Sequence, residues 1–205
     1  FFNFDSQQPE IQNKDAKIYK VIIGSELPPF EETKREDFLF FCSRHNQIMG
    51  SPILIDICLR NNIPLMLGGK IDQGFEWITE FSAYNESNKS CVRWFGELPQ
   101  ESKVSFTKRA RAVAVLHQWE SPFSLLGTEA AHYGTPLIVT RRGFWPDFID
   151  RDGKNGFIVD SAEDFLRAYE LCKYVKQIDC YNASKKYNAD EMVRTFRAAF
   201  EDILK

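Results

Sequence analysis

The feature that most constrains this chain is a regular alternation of short apolar runs with longer stretches of helical spacing. FLFFCS (Phe38–Ser43) is a continuous apolar run, as expected of a strand buried on both faces. Residues 49–61 then place Ile53, Leu54, Ile57 and Cys58 on one helical face. PLMLGG, SCVRWFG, AVAVL, PLIVT and GFIVD read as further strands. FEWITEFSAY, ESKVSFTKRA, FSLLGTEAAHYG and SAEDFLRAYELCKYV read as the helices between and after them. Gly134 is placed to stop the third of these, and Ser161 to cap the fourth. A last helix carries Met192, Val193, Phe196, Phe200 and Ile203 at the same spacing. Lys20–Gly24 (KVIIG) also reads as a strand, and the two prolines of SELPPFEETKRED mark a loop after it.

Strands alternating with helices predict an α/β fold, a Rossmann-like doubly wound parallel sheet with right-handed crossovers. Such sheets bind ligands beyond the carboxyl ends of their strands. That rule singles out the loops after Phe41, Leu67, Leu116 and Thr140.

Composition narrows the classes. Hydrophobic residues make up 43% of the 205 residues and charged residues 27%, which suits one globular unit with a real core. A formal net charge of −3 argues against a nucleic-acid binder built on phosphate contacts. The five cysteines are odd in number and form no C-x-x-C pair, so they read as reduced thiols in a cytoplasmic protein with no metal site. No apolar run approaches a bilayer span, so any membrane association is peripheral. The chain starts without Met and reads as a piece of something larger.

The loops carry the chemistry. Arg44 follows the first buried strand closely, where a guanidinium either clamps a diphosphate or sits solvated in a turn. In HQWESPF the chain crosses from strand to helix, with the helix beginning near Phe123. The amides of Ser124, Leu125 and Leu126 are then first-turn donors that attract phosphate or a sugar hydroxyl. Glu129, a turn or two further on, can accept two hydrogen bonds from a vicinal diol, or merely favour the positive helix end by about 0.3–1 kcal/mol. Gly143 permits close backbone approach, while Arg141 and Arg142 are either ligand contacts or surface charge. His117 is a minor candidate at a strand end. No Ser-His-Asp order, Cys-His pair or G-x-G-x-x-G is present.

The segment WESPFSLLGTEAAHYGTPLIVTRRGFWPDFIDRDGKNGFIVD resembles that of retaining GT-B glycosyltransferases of the family 4 type. FFCSRHNQIMG is similar to that family's phosphate loop, and WFGELPQESKVSFTKRARAVAVL to its F-x-G stretch and the helix and strand after it. The resemblance runs over roughly residues 20–200 and rests on the order and spacing of these motifs. It implies one half of a GT-B architecture. Residues 1–20 would be a linker or the tail of a preceding domain, 21–188 the nucleotide-sugar-binding domain, and 189–205 a C-terminal helix docking on an N-terminal domain.

By the same resemblance, Ser43, Arg44, Ser124, Leu125, Leu126, Glu129 and Gly143 bind the donor. Arg44 matches the phosphate-binding arginine and Glu129 the second Glu of E-x7-E, the ribose holder. The first Glu of that motif is Ser121 here, with Glu120 one place earlier; Arg44, Ser121 and Glu120 are the catalytic candidates. Met49 stands for the phosphate-loop Lys, a loss of about 1.5–3 kcal/mol. Ser124 stands for a Gly. Phe144 stands for the second Gly of the next loop, where it is expected to crowd the sugar. The implied function is retaining transfer from a UDP- or GDP-sugar to a glycan, lipid or other hydroxyl acceptor, as in polysaccharide biosynthesis, with no cofactor or metal. The alternative is a degenerate module that binds a partner or a glycan without turnover. The E-x7-E-like segment argues against a nucleotide-sugar epimerase.

Overall fold

The structure is a computed structural model describing residues 17–19 and 21–204. Most of the linker expected over residues 1–20 therefore lies outside the described residues. Six strands form one parallel sheet: β1 (Leu39–Cys42), β2 (Leu65–Gly68), β3 (Val92–Trp94), β4 (Ala112–Val115), β5 (Leu137–Thr140) and β6 (Gly156–Val159). Their spatial order is β3-β2-β1-β4-β5-β6. Leu39 is in register with both Leu65 and Ala112, and Val113 with Leu137. The chain thus winds outward one way from β1 and the other way from β4, the doubly wound pattern.

Helices cover both faces: α1 (Ser51–Asn61), α2 (Gln100–Arg109), α3 (Leu125–His132), α4 (Trp145–Phe148), α5 (Ala162–Leu171), α6 (Gln177–Ser184) and α7 (Ala189–Ile203). This double cover explains why the central strands read as unbroken apolar runs: Phe40, Phe41, Val113, Ala114 and Ile138 are all fully buried. Local signals fix the helix ends. Ser161 accepts from the Asp164 amide and starts α5. Asn62, at φ 51°, ends α1 by donating its amide to Cys58 and Leu59 carbonyls.

Three expectations need correction, and one helix was not anticipated. Residues 21–24 carry no strand; Ile22 donates its amide to Thr195 Oγ1, and Ser25 bridges Asn188, so this segment follows the start of α7 instead of the sheet. FEWITEFSAY forms only a 3₁₀ turn, Glu76–Phe81. The chain is pulled out of helix there because Ala83 donates to the Trp94 carbonyl on β3 at 2.8 Å. The helix expected from Phe123 starts at Leu125, since Ser124 acts as its cap. Helix α6 was not anticipated; its apolar pattern is weak, with only Cys180 and Ser184 buried.

The loops leaving β1 and β4 are joined backbone to backbone. Gln118 donates its amide to Ile48 O at 2.8 Å. Gly50 has φ 79°, and a Cβ added there would fall 1.8 Å from the Leu116 carbonyl oxygen. Gly50→Ala therefore meets both left-handed strain and a clash with immovable backbone. It is expected to cost at least about 2 kcal/mol, a fall in Tm of roughly 4–8 °C for a chain of this size. A thermal melt unchanged by G50A would contradict this packing.

Candidate functional site

Two hollows open at the carboxyl ends of the strands. The smaller, about 380 Å³, lies where β1 and β4 part, and is lined among others by Ser43, Met49, Lys103, His117, Ser121 and Leu125. The larger, about 690 Å³, lies beyond β4, β5 and β6 and is lined by Asp56, Glu120, Arg141, Arg142 and Asp160 among others. The smaller one occupies the topological switch point, where doubly wound sheets take ligands.

Helix α3 begins in the smaller hollow. Ser124 has extended backbone, φ −140° and ψ 109°, and its Oγ accepts the Gly127 amide at 3.3 Å. That leaves the amides of Leu125 and Leu126 with no acceptor among the described residues. Uncapped first-turn amides and the positive helix end form an anion-attracting pair. Because Ser124 is the cap, its own amide precedes the helix and is not a first-turn donor as expected. Ser121 is buried, and its Oγ donates to Phe123 O at 2.9 Å, tightening the turn into α3.

The candidates from sequence divide in space. Ser43, Ser121, Ser124, Leu125 and Leu126 line the smaller hollow, as does Met49. Arg44 is exposed and lies outside that lining. Glu129 reaches the rim, with Oε2 3.5 Å from Lys103 Nζ. Glu120 turns the other way, into the larger hollow. Its Oε2 accepts the Gly143 amide at 2.6 Å, and its Oε1 faces Arg142 at 3.6 Å. Gly143 has φ 62°, and a Cβ there would fall 2.0 Å from Ser121 O, so this glycine locks the loop after β5 onto the turn before α3. Arg141 is bound to Asp160 at 2.8 Å. The expectation that Phe144 crowds the sugar is wrong. Its ring is fully buried, with centroids 5.5 Å from Phe123 and 4.2 Å from Trp145, because the loop turns it into the core.

Lys103 was missed. The signal was in the spacing: it lies on the same face of α2 as Phe106, which packs on the core, and Thr107, which is buried. An apolar residue is the rule at such a position, and a lysine there is anomalous. Of the described residues lining the smaller hollow, Lys103 alone is charged.

The hollow has little acid–base or nucleophilic capacity. His117 is buried between Trp119 and Trp145, with ring centroids 6.4 and 6.0 Å away. Neither of its ring nitrogens has a partner among the described residues. Burial pushes its pKa down to about 4, so it stays neutral at pH 7. Cys42 also lines the hollow, and burial pushes it up to about 11, so it remains a thiol rather than a nucleophilic thiolate. What remains is recognition: a cation, free amides, hydroxyls and a carboxylate.

Residues 29–177 match the family model of glycosyl transferases group 1. The chain is similar to the D-inositol 3-phosphate glycosyltransferase of Corynebacterium jeikeium (strain K411), 37% identical over 97 residues, 47% of this chain and 23% of that protein. It is also 26% identical over 150 residues, 71% of this chain and 32% of the relative, to the adenylosuccinate synthetase of Flavobacterium psychrophilum. The chain thus spans between 23% and 32% of the length of these curated relatives. Among solved structures, AviGT4, a glycosyltransferase involved in avilamycin A biosynthesis, superposes with a TM-score of 0.69. That match is 20% identical and covers 92% of this chain and 58% of that one, a likeness of fold.

The buried histidines make stability depend on pH. Burial holds both His45 and His117 at about 4 in the folded chain, whereas an unfolded histidine titrates near 6.5. Between those values the unfolded chain binds more protons. The histidines' contribution is therefore intact above about pH 6.5 and is lost as pH falls toward 4. By pH 4.5 each should have cost about 2–3 kcal/mol. Urea unfolding of His117→Phe, compared with the parent at pH 7 and pH 4.5, should show a smaller loss by about one histidine's share. An identical loss would contradict the burial of a neutral ring.

Proposed function

The chain belongs to the glycosyl transferases group 1 family, and from that premise we propose that it is the donor-binding half of a retaining glycosyltransferase. The donor is a UDP- or GDP-sugar, and the acceptor is a hydroxyl of a glycan, lipid or other molecule. The observation that carries this reading is the start of α3 at the switch point, where the Leu125 and Leu126 amides have no acceptor among the described residues, with Glu129 one turn further in.

In this reading Glu129 accepts hydrogen bonds from the ribose hydroxyls. The amides of Leu125 and Leu126 and the Ser43 side chain serve the diphosphate, while Arg44, outside the hollow's lining, is left to the approach of the donor. As the bond between the sugar's anomeric carbon and the diphosphate oxygen breaks, negative charge grows on the leaving group. Donors already aimed at that oxygen favour the transition state over the ground state. The acceptor oxygen bonds to the anomeric carbon on the face the diphosphate leaves, and its proton passes to the departing diphosphate. No cofactor enters. Ser121 and Glu120 act through the turn they hold: Ser121 closes it onto Phe123 O, and Glu120 fastens it to Gly143.

The acceptor is held by a preceding Rossmann-like domain. Helix α7, whose Val193, Phe200 and Ile203 side chains are half exposed, is the surface we assign to it. No helix among the described residues is long and apolar enough to cross a membrane.

Titration with UDP, GDP and their sugars, followed by thermal shift, tests the reading. A ligand of the folded state raises stability by RT ln(1 + [L]/Kd), so at least one of these compounds should raise the Tm. Glu129→Ala should weaken that compound by roughly tenfold or more, the value of a hydrogen bond to a charged group. No shift with any of them at millimolar concentration would overturn the donor assignment.

A further inference from the structure

We propose that Lys103 is a donor-binding residue whose ammonium takes the diphosphate of the nucleotide-sugar in the smaller hollow, where Met49 supplies no charge. The inference rests on the donor reading above and deepens it.

The first observation is the unused capacity of the ammonium. A lysine presents three donors. Lys103 Nζ makes no hydrogen bond to a described residue, and its one charged neighbour, Glu129 Oε2, stands at 3.5 Å. That separation is an ion pair beyond ordinary hydrogen-bond length. The pair holds the ammonium over the end of β1 without consuming its protons. With only 27% of the side chain exposed, water satisfies it less fully than it would a surface lysine.

The second observation is convergence. Leu125 and Leu126 line the same hollow, and their amides lack acceptors among the described residues. A cation and two first-turn amides without acceptors at one hollow ask for one anion. The third is the shortage of alternatives. Met49 lines the hollow but carries no charge, and Arg44 lies outside the lining. Lys103 comes from α2 and the amides come from α3, so an anion seated there would meet donors from two elements. The nearby Glu129 carboxylate places the same ammonium next to the ribose, so the phosphate it meets first is the one joined to that sugar.

Calorimetric titration of this chain with UDP, GDP, uridine and guanosine tests the proposal. Lys103→Met should weaken the preferred nucleoside diphosphate by roughly ten- to a hundredfold and leave its nucleoside within about twofold. The parent's affinity for the diphosphate should fall with added salt more steeply than that of the variant. Lys103→Arg, which keeps the charge, should recover most of the loss. If K103M binds the diphosphate as the parent does, the proposal is overturned while the donor reading stands. If it loses diphosphate and nucleoside equally, Lys103 acts only through Glu129 and the proposal is again overturned. A parent chain that binds neither diphosphate overturns both.

Discussion

Everything at the functional end of this protein depends on the divergence of β1 and β4. They are neighbours in the sheet, yet the chain leaves them toward opposite edges. Two loops that must part leave a crevice between them, whatever their sequence. Here the crevice is held open at a fixed width because the same loops are tied at their base, Gln118 to Ile48 and Gly50 against Leu116. Further out, Gly143 and Phe144 fasten the next loop to Ser121, so the loops of three strand ends are tied to one another. A preorganised site of this kind loses little entropy when a ligand arrives.

Electrostatics separates the two hollows at this end. In the larger one the charges face each other: Arg141 meets Asp160, Arg142 meets Glu120, and Asp56 holds Arg60. Such exposed pairs contribute little stability and leave little net field for a ligand. In the smaller one the potential acid and base are silenced by burial, His117 as a neutral ring and Cys42 as a thiol. Among the described residues, the positive features there, Lys103 and the start of α3, are not opposed by an anion within ordinary hydrogen-bonding distance. The smaller hollow thus offers a cation and amide donors, with no charged acid or thiolate among its described lining residues.

Much of the fold was legible because burial on both faces writes itself into the sequence. All six sheet strands fall on apolar runs, and Ser161 and Gly134 mark helix ends where expected. The misreadings have a common cause. Lys20–Gly24 and FEWITEFSAY have suitable local patterns, but tertiary bonds to Thr195 and Trp94 decide their shape. The site was legible only in part. The sequence places the start of α3 near Phe123, two residues early, because Ser124 reads as a first-turn donor rather than as the cap. Lys103 enters from a helix far along the chain, and Glu120 is turned away by a bond to Gly143. Phe144 shows the same limit: its position in the chain says that it is near the site, and only packing says that its ring points inward.

The central claim is that the crevice between β1 and β4 is where a nucleotide-sugar is gripped. Amide chemical-shift mapping by NMR, with nucleoside diphosphate added to the isotope-labelled chain, tests it most directly. The account predicts that the largest shifts fall on Ser43, Leu125 and Leu126 and on the neighbouring turn of α2. Shifts concentrated on Arg141, Asp160 and Ser161 would put the ligand in the larger hollow and contradict it.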